Sequence, residues 1–391
     1  LKALLSTSLQ HDIDVLIFSE VENVFDCQAL VNSLRSSAKI WAIPEKISPI
    51  GKFLYIFKKN IHKALVKLKF PICLRKSFGY LHFWFKASKI DLLYIPYQIP
   101  PSYDFSFPYI VTMHDVQELH YPEFFTPQER AWRAMSWWKS LENASAVIVS
   151  FSHVKNDLIK YFNISDGKVK VCPLPYKEIE LHTPDDCQEI AYRKKYESFE
   201  QFILYPAQFW KHKNHISIVK ALEIIYERQG KQVHVAFTGE KSAKTAFPDL
   251  QDYVSKSQVS NYVHFIGNVP EAELLWLYKH CSLVTISTLY EAGSFPLLEA
   301  MACGTPVVCS AVTSLPETIG DQRFLFNPQD VEELANLILS MLSDDQLRID
   351  NIENSYSMIK KLRNTPSASC FVDVFEKVYK QSNIKVNNAK H

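Results

Sequence analysis

Two glutamates lie eight residues apart in the segment YEAGSFPLLEAMACGTPVV, residues 290–308. The apolar run at 283–287 predicts a strand that ends shortly before Glu291. Ligands of open α/β sheets bind at the carboxyl ends of strands, so Glu291 would meet a ligand from a loop and Glu299 from the following helix. The pattern also has a structural explanation, because glutamate near a helix start complements the helix dipole.

The residues between these glutamates predict a helix start suited to an anion. Pro296 stands where a helix commonly begins, and Gly304 stands where one commonly ends. Gly293 and Ser294 would bring backbone N–H groups to the positive end of the helix dipole. Such a place suits a diphosphate or a sugar hydroxyl.

A basic loop in the segment FILYPAQFWKHKNH, residues 202–215, is a second candidate anion site. A predicted strand ends at Pro206, and Asn214 is expected to cap the next helix. Lys211 and Lys213 would add positive charge to that helix start. A solvated basic loop without a ligand is the alternative.

Two further motifs bear on the chemistry. His114 and Asp115 follow a predicted strand at 109–113, where the imidazole would reach a sugar or phosphate oxygen, although His-Asp is also a frequent chance pair. Asp12 and Asp14 form an Asp-x-Asp motif, which we interpret as a polar strand entry. No catalytic metal is therefore predicted, and positive charges with helix N-termini would stabilise a leaving diphosphate instead.

The elements that position these residues alternate between apolar strands and helices, which predicts parallel sheets covered on both faces. The predicted strands are 13–18, 38–42, 91–95, 109–113, 145–149 and 168–172, then 202–206, 233–237, 263–266, 283–287 and 306–309. The predicted helices are 27–36, 53–68, 127–143 and 152–162, then 214–228, 270–280, 296–303, 330–343 and 353–380. A polar, proline-rich stretch at 173–200 separates the two series and predicts an interdomain connection.

The segment at 290–308 resembles the signature of glycosyltransferase family 4, and the similarity extends over about 202–343. Weaker similarity, in HDVQ, YPEFF and VSFSHVKNDL, reaches back to about residue 109. The resemblance implies the GT-B fold, an α/β architecture of two Rossmann-like, doubly wound parallel-sheet domains that face a central cleft. We expect an acceptor-binding domain at 1–175 that lacks its first strand, a nucleotide-sugar-binding domain at 176–355, and a helical segment at 356–391 that packs back on the first domain.

The resemblance also implies roles for individual residues. Glu291 would contact the transferred sugar near the reaction centre, and Glu299 would bind the ribose hydroxyls of the nucleotide. His114 would face the donor sugar as a second catalytic residue, with Asp115 orienting it. Lys213 would grip the donor diphosphate, supported by Lys211. Further donor-binding positions are expected at Gln208, Gly239, Gly267, Gly293, Ser294 and Phe295.

The chain departs from the common family pattern at two places. Gln208 replaces an arginine, so the lysines would carry more of the diphosphate charge. The glycine of the loop is displaced to Gly293, which bears on which backbone N–H faces the phosphate.

The resemblance implies a retaining transferase that moves a hexosyl group from a GDP- or UDP-linked sugar to a glycan or lipid-linked acceptor. Cell-surface polysaccharide or lipopolysaccharide assembly is the expected setting, with no cofactor. One alternative is a nucleotide-sugar epimerase of the same fold. Another is a nucleotide-sugar-binding protein without turnover, which the replacement at Gln208 favours.

Composition limits the class of protein. Hydrophobic residues make up 47% of the chain and charged residues 22%, which excludes a disordered chain. The net charge of +1 does not favour nucleic acid as a partner. The eight cysteines form no C-x-x-C pair, which favours reduced thiols in the cytoplasm. No apolar run reaches a transmembrane length, and the opening LKALLSTSLQHDID predicts a helix running into a strand rather than a signal peptide.

The stretch 46–89 carries eleven Lys or Arg residues and no Asp or Glu, with aromatic residues interleaved. This pattern predicts a face that binds an anionic membrane, which would hold the enzyme at the inner surface of the plasma membrane near a lipid-linked acceptor. A basic surface helix without a membrane role is the alternative.

Overall fold

The computed structural model describes residues 16–20, 39–43, 91–100, 105, 107–173, 183–199 and 201–388. The chain divides into two units, which we call unit 1 (residues 1–116, 125–175 and 366–391) and unit 2 (residues 117–124 and 176–365). The predicted helices at 27–36 and 53–68 and the basic stretch at 46–89 lie outside the described residues.

The described strands, in chain order, are β1 (Leu16–Glu20), β2 (Lys39–Ile43), β3 (Leu93–Ile95), β4 (Tyr109–Met113), β5 (Ala146–Val149), β6 (Val169–Val171), β7 (Phe202–Pro206), β8 (His234–Thr238), β9 (Val263–Gly267), β10 (Leu283–Ile286), β11 (Val307–Ser310) and β12 (Leu325–Phe326). Every pairing among them is parallel. The predicted alternation of buried parallel strands and helices is confirmed, with small shifts at the strand ends.

The described α-helices are α1 (Gln117–His120), α2 (Pro127–Asn143), α3 (Ser152–Phe162), α4 (Asp186–Lys195), α5 (His215–Gln229), α6 (Phe247–Ser255), α7 (Glu271–His280), α8 (Phe295–Cys303), α9 (Leu315–Ile319), α10 (Val331–Ser343), α11 (Asp345–Asn364) and α12 (Ser367–Asn388). None of the helices in the described ranges combines the length and hydropathy that a bilayer crossing requires.

Unit 1 contains a four-stranded sheet in the order β3-β4-β5-β6, and β1 pairs with β2 in a separate two-stranded ladder. β4 is buried along its whole length. Ile110 of β4 and Ile148 of β5 pack with Val374 and Val378 of α12. The last helix therefore supplies part of the core of unit 1, because these apolar side chains leave water together.

Unit 2 is built on a six-stranded parallel sheet in the order β12-β11-β10-β7-β8-β9. The first strand of this sheet in chain order is the central strand β7. The next two, β8 and β9, extend the sheet to one edge, and β10 then pairs with the other side of β7. Because parallel crossovers are right-handed, this reversal puts helices on both faces of the sheet. It also creates a topological switch point between β7 and β10, where the loops diverge and a ligand can bind.

The observed elements differ from the predicted ones at places that include the C-terminal helices, the stretch 173–200 and β12. The helix expected over 353–380 is two helices, because Pro366 cannot continue α11 and the chain restarts at α12. The stretch 173–200 contains α4, which a capping box between Asp185 and Gln188 starts. β12 was not predicted, since it has only two residues.

Candidate active site

The loops after β7 and β10 are joined by hydrogen bonds at the switch point of unit 2. The carbonyl of His212 accepts bonds from the Leu289 N–H at 2.7 Å and the Thr288 hydroxyl at 3.0 Å. The Ser287 hydroxyl donates to the carbonyl of Asn214 at 3.0 Å. Residues far apart in sequence therefore form one surface, as the position of neighbouring strands in a parallel sheet requires.

Lys213 and Glu291 form an ion pair on this surface. The Lys213 Nζ lies 2.6 Å from the Glu291 Oε2, and the two side chains are only 17% and 11% exposed. The backbone of Glu291 is fixed on both sides, because its N–H donates to the Thr313 hydroxyl at 3.0 Å and its carbonyl accepts from the Ser314 hydroxyl at 3.0 Å. Thr313 has a φ of 48°, which is uncommon for a residue with a branched side chain.

Tyr205 and His212, two residues beside this ion pair, are uncharged at neutral pH. The hydroxyl of Tyr205 donates to the carbonyl of Lys213 at 3.0 Å, and burial raises the pKa of Tyr205, with a further contribution from Glu291. Burial, with a smaller contribution from Lys213, lowers the pKa of His212 to about 4. At neutral pH the imidazole of His212 is therefore uncharged and does not add to the positive charge of Lys213.

Helix α8 begins beside Glu291 and is held by caps at both ends. The Ser294 hydroxyl accepts a bond from the Leu297 N–H, and Gly304 closes the helix with a φ of 69°. Leu297 is completely buried and anchors the first turn in the core. Within the described part of the chain, the N–H groups of Gly293 and Ser294 donate to no acceptor, so they are available to an anion.

Glu299 lies one turn into α8 and is held by a tyrosine from α7. The hydroxyl of Tyr278 donates to the Glu299 Oε2 at 2.7 Å, and Tyr278 is completely buried. Burial raises the pKa of Glu299, and the bond from Tyr278 opposes that shift. The tyrosine therefore fixes one oxygen of the carboxylate and leaves the other for a second donor.

A pocket of about 230 Å³ lies at the carboxyl ends of β7, β8 and β9. Its lining consists of Pro206, Ala207, Gln208, Thr238, Gly239, Asn268, Val269 and Leu274. Gly239 has a φ of +116°, and a Cβ atom there would lie 2.6 Å from the Ala207 carbonyl oxygen. Only glycine permits this close approach between the turn after β8 and the Ala207 carbonyl.

Gln208 makes hydrogen bonds with both ends of its amide at the edge of this pocket. Its Oε1 accepts from the Glu240 N–H at 2.9 Å, and its Nε2 donates to the Asn268 Oδ1 at 3.4 Å. Gly267, the residue before Asn268, has a φ of +89° and accepts a bond from the Gly239 N–H at 3.1 Å. The turns after β8 and β9 are thereby connected.

The structure places the predicted site residues in both units. Those in unit 2 are Gln208, Lys211, Lys213, Gly239, Gly267, Glu291, Gly293, Ser294, Phe295 and Glu299. Phe295 is 70% exposed, and Lys211 is also exposed. His114 and Asp115 belong to unit 1, where the exposed His114 donates from Nε2 to the Pro96 carbonyl at 3.1 Å. The carbonyl of Asp115 accepts from the Gln98 Nε2 at 3.0 Å.

One local prediction is wrong, and two residues that hold the glutamates were not predicted. The prediction that the Asn214 side chain caps α5 is wrong, because Asn214 adopts a left-handed φ of 54° and its Nδ2 donates to the Pro328 carbonyl at 3.2 Å. The sequence also did not identify Thr313 and Tyr278, which hold the two glutamates. Both come from other elements of unit 2, so no local spacing relates them to Glu291 or Glu299.

Comparison with known proteins locates the similarity in unit 2. Residues 189–358 match the family model described as "Glycosyl transferases group 1". The match contains the region 202–343, where the sequence resembles glycosyltransferase family 4, and confirms that resemblance.

Two curated relatives are 26% identical to this chain over the residues that align. The O-antigen chain mannosyltransferase B of Escherichia coli is 26% identical over 241 residues, which are 61% of this chain and 62% of that protein. A D-inositol 3-phosphate glycosyltransferase of Corynebacterium aurimucosum is 26% identical over 245 residues, which are 61% of this chain and 58% of that protein. The chain thus spans less than two thirds of the length of either relative.

Solved structures share the fold over most of the chain. Anabaena HepE in complex with UDP-glucose superimposes with a TM-score of 0.63 at 16% identity, covering 97% of this chain and 95% of that one. A sucrose-phosphate synthase from Thermosynechococcus elongatus gives a TM-score of 0.62 at 22% identity, covering 78% and 79% of the two chains. The predicted GT-B fold is confirmed.

Proposed function

We propose that this chain, a glycosyltransferase family 4-like protein with the GT-B fold, transfers a hexosyl group from a nucleotide-sugar to a glycan or lipid-linked acceptor. The ion pair of Lys213 and Glu291 at the switch point of unit 2 is the observation that carries the proposal. A cation and a carboxylate held together beside a helix N-terminus can serve the two parts of an activated sugar, its diphosphate and its anomeric carbon.

The diphosphate would bind between Lys213 and the start of α8. Lys213 supplies a full positive charge, and the N–H groups of Gly293 and Ser294 supply hydrogen bonds aligned with the helix dipole. The two N–H groups are held by the backbone at the start of α8 before the reaction, so they stabilise the negative charge that develops on the leaving diphosphate without reorganisation. With these groups supplying the positive charge, the proposed reaction needs no catalytic metal.

The two glutamates would act on different parts of the donor. Glu291, in the loop, would contact the transferred sugar, whose anomeric configuration we propose is retained. Glu299 would accept hydrogen bonds from the ribose hydroxyls, since the Tyr278 bond to one oxygen fixes the orientation of its carboxylate. The donor would be a UDP- or GDP-linked sugar, and the UDP-glucose complex of Anabaena HepE supports the UDP-linked one.

Unit 1 would bind the acceptor, with His114 facing the donor sugar as the family resemblance implies. We propose cell-surface polysaccharide assembly as the setting, by analogy with the O-antigen chain mannosyltransferase B of Escherichia coli.

A cytoplasmic location with attachment to an anionic membrane through residues 46–89 is part of the same proposal. Co-sedimentation with anionic liposomes tests the attachment, and replacing Lys58, Lys59, Lys63 and Lys67 with serine should release the protein.

A panel of UDP- and GDP-sugars, scored for released nucleotide with and without glycan acceptors, tests the function. We expect turnover with at least one donor, loss of turnover in Glu291→Gln, and unchanged turnover in Glu353→Gln, which makes the same change on an exposed face of α11. Turnover should persist in EDTA, and NMR of the product should show the donor's anomeric configuration. Nucleotide binding without turnover for any donor would favour the non-catalytic alternative, and an altered sugar still attached to its nucleotide would favour an epimerase.

A further inference from the structure

The side chains of Gln208 and Asn268 form a pair of amides whose direction is determined by the backbone. The Glu240 N–H is a donor only, so the group that it contacts on Gln208, at 2.9 Å, must be the oxygen Oε1. The Nε2 of Gln208 then faces Asn268 and donates to its Oδ1 at 3.4 Å. A backbone N–H thus determines which way both amides point.

The two ends of the Asn268 amide have different roles: its oxygen accepts a hydrogen bond from Gln208, and its nitrogen can donate to a ligand. Within the described residues, the Nδ2 of Asn268 donates to no acceptor. Asn268 lines the pocket together with the apolar side chains of Pro206, Val269 and Leu274. A pocket of about 230 Å³ that combines these apolar side chains with the amides of Gln208 and Asn268 and the hydroxyl of Thr238 fits a flat heterocycle that carries hydrogen-bonding groups on its edge.

We infer that Asn268 selects the nucleobase of the donor by donating to an exocyclic carbonyl, with Gln208 as the residue that holds it in that orientation. Uracil and guanine carry a carbonyl at the position where cytosine and adenine carry an amino group. The pocket therefore takes UDP rather than CDP, and GDP rather than ADP. This inference rests on the proposed function, because it assumes that a nucleotide occupies unit 2.

The size of the preference follows from the cost of an unmatched pair. An amino group facing the Asn268 Nδ2 places two donors against each other, so the hydrogen bond is lost and both groups are desolvated when the base closes the pocket. The loss of one such bond corresponds to about a tenfold difference in affinity. We expect that difference within each matched pair, UDP against CDP and GDP against ADP.

Gln208→Glu tests the positioning role and leaves the Asn268 side chain itself unchanged. The introduced carboxylate still accepts from the Glu240 N–H, but its second oxygen has no proton to donate. Asn268 must then turn its amide so that Nδ2 donates to that carboxylate and Oδ1 faces the pocket. The preference should shift towards CDP and ADP. Asn268→Asp should produce the same shift directly, because it replaces the donor at the pocket with an oxygen.

Isothermal titration calorimetry of the full chain with UDP, CDP, GDP and ADP measures these ratios. The ratio within each pair removes the general effect of an added negative charge on diphosphate binding. Gln251→Glu and Asn261→Asp make the same chemical changes at exposed positions of unit 2 and should leave the ratios unchanged. Thermal melting of each variant shows that it is folded.

The inference is supported if the wild type prefers UDP or GDP about tenfold over its partner and both site variants lower that ratio by at least about tenfold. Equal affinities within both pairs in the wild type, or a ratio unmoved by Gln208→Glu in the folded variant, would overturn it while leaving nucleotide binding intact. If none of the four nucleotides binds, the proposed function fails and this inference fails with it.

Discussion

Removing Glu291 and removing Lys213 should have opposite effects on nucleotide binding, because the two side chains form an ion pair. A bound diphosphate must share Lys213 with Glu291, whose carboxylate lies 2.6 Å from the ammonium. At an effective dielectric constant of about 20, charges at that distance attract each other by about 6 kcal/mol before desolvation is subtracted. Double-mutant cycles on close charge pairs give about 1.5–7 kcal/mol. Glu291 is therefore a strong competitor for the charge that the diphosphate needs.

We expect Glu291→Gln to tighten the binding of UDP or GDP by about tenfold, because it releases Lys213 and removes a like charge from the diphosphate. The same variant should lower kcat by about 10²–10³, the range seen when one group that stabilises a transition state is removed. Lys213→Met should weaken nucleotide binding by about a hundredfold, since a charge-assisted hydrogen bond is worth about 1.5–3 kcal/mol. Calorimetry and initial rates measure these effects.

Lys213→Met should also destabilise the fold, because it removes the cation that lies 2.6 Å from a mostly buried carboxylate. The expected cost is about 3 kcal/mol, or a fall in Tm of about 6–12 °C. The ion pair of Lys256 and Asp252 is a matched control, with the same 2.6 Å distance but side chains that are 71% and 66% exposed. Lys256→Met should change neither Tm nor nucleotide affinity by a measurable amount. Weaker nucleotide binding in Glu291→Gln would refute the competition between carboxylate and diphosphate.

Three further perturbations follow from the structure. Tyr278→Phe removes the hydrogen bond that opposes the rise in the pKa of Glu299, so the pKa should rise further. Because nucleotide binding needs the ionised carboxylate, the variant should lose nucleotide affinity at a higher pH than the wild type as the pH falls. Calorimetry from pH 5 to 8 measures this loss, and superimposed profiles would contradict it. Gly239→Ala should cost about 1–3 kcal/mol in a melting experiment because of its positive φ and the Ala207 carbonyl, whereas Gly167→Ala, with no atom within 4 Å of the added Cβ, should not. Burial lowers the pKa of His215 to about 3, below its value in the unfolded chain, so its contribution to stability is complete above about pH 6.5 and is lost as the pH falls towards 3. Denaturation of His215→Phe should therefore show a smaller loss of stability over that pH range. An unchanged loss of stability would rule out this residue as a source of acid sensitivity.

Local signals were sufficient to predict most elements of the fold. α2 has the bounds that the sequence predicted, because Thr126 caps it in a reciprocal pair with Glu129 and a short turn ends it before β5. β4 was predicted at its observed bounds because it is a continuous apolar run buried on both faces. The failures have physical causes: α4 is polar on most of its surface, and β12 is too short to show a period.

The candidate site could be predicted only in part. Glu291 and Lys213 were each placed in a loop after a strand, but their contact depends on β10 lying beside β7, and strand order is a property of the whole sheet. The bond from Tyr278 to Glu299 joins two helices, so no spacing along the chain indicates it. Gln208 was predicted as a donor-binding residue from its position, whereas its hydrogen bonds to Glu240 and Asn268 appear only once three turns are brought together.

The return of α12 to unit 1 has a consequence for the order in which the chain folds. Ile110 and Ile148 leave the ribosome more than 200 residues before Val374 and Val378, the side chains that cover them. Unit 2, between them in the sequence, carries its own core and can fold while that apolar face of the first sheet is still open to solvent. Unit 1 therefore cannot be completed until α12 has been synthesised. A nascent chain stopped at Thr365 would expose this apolar surface to chaperones.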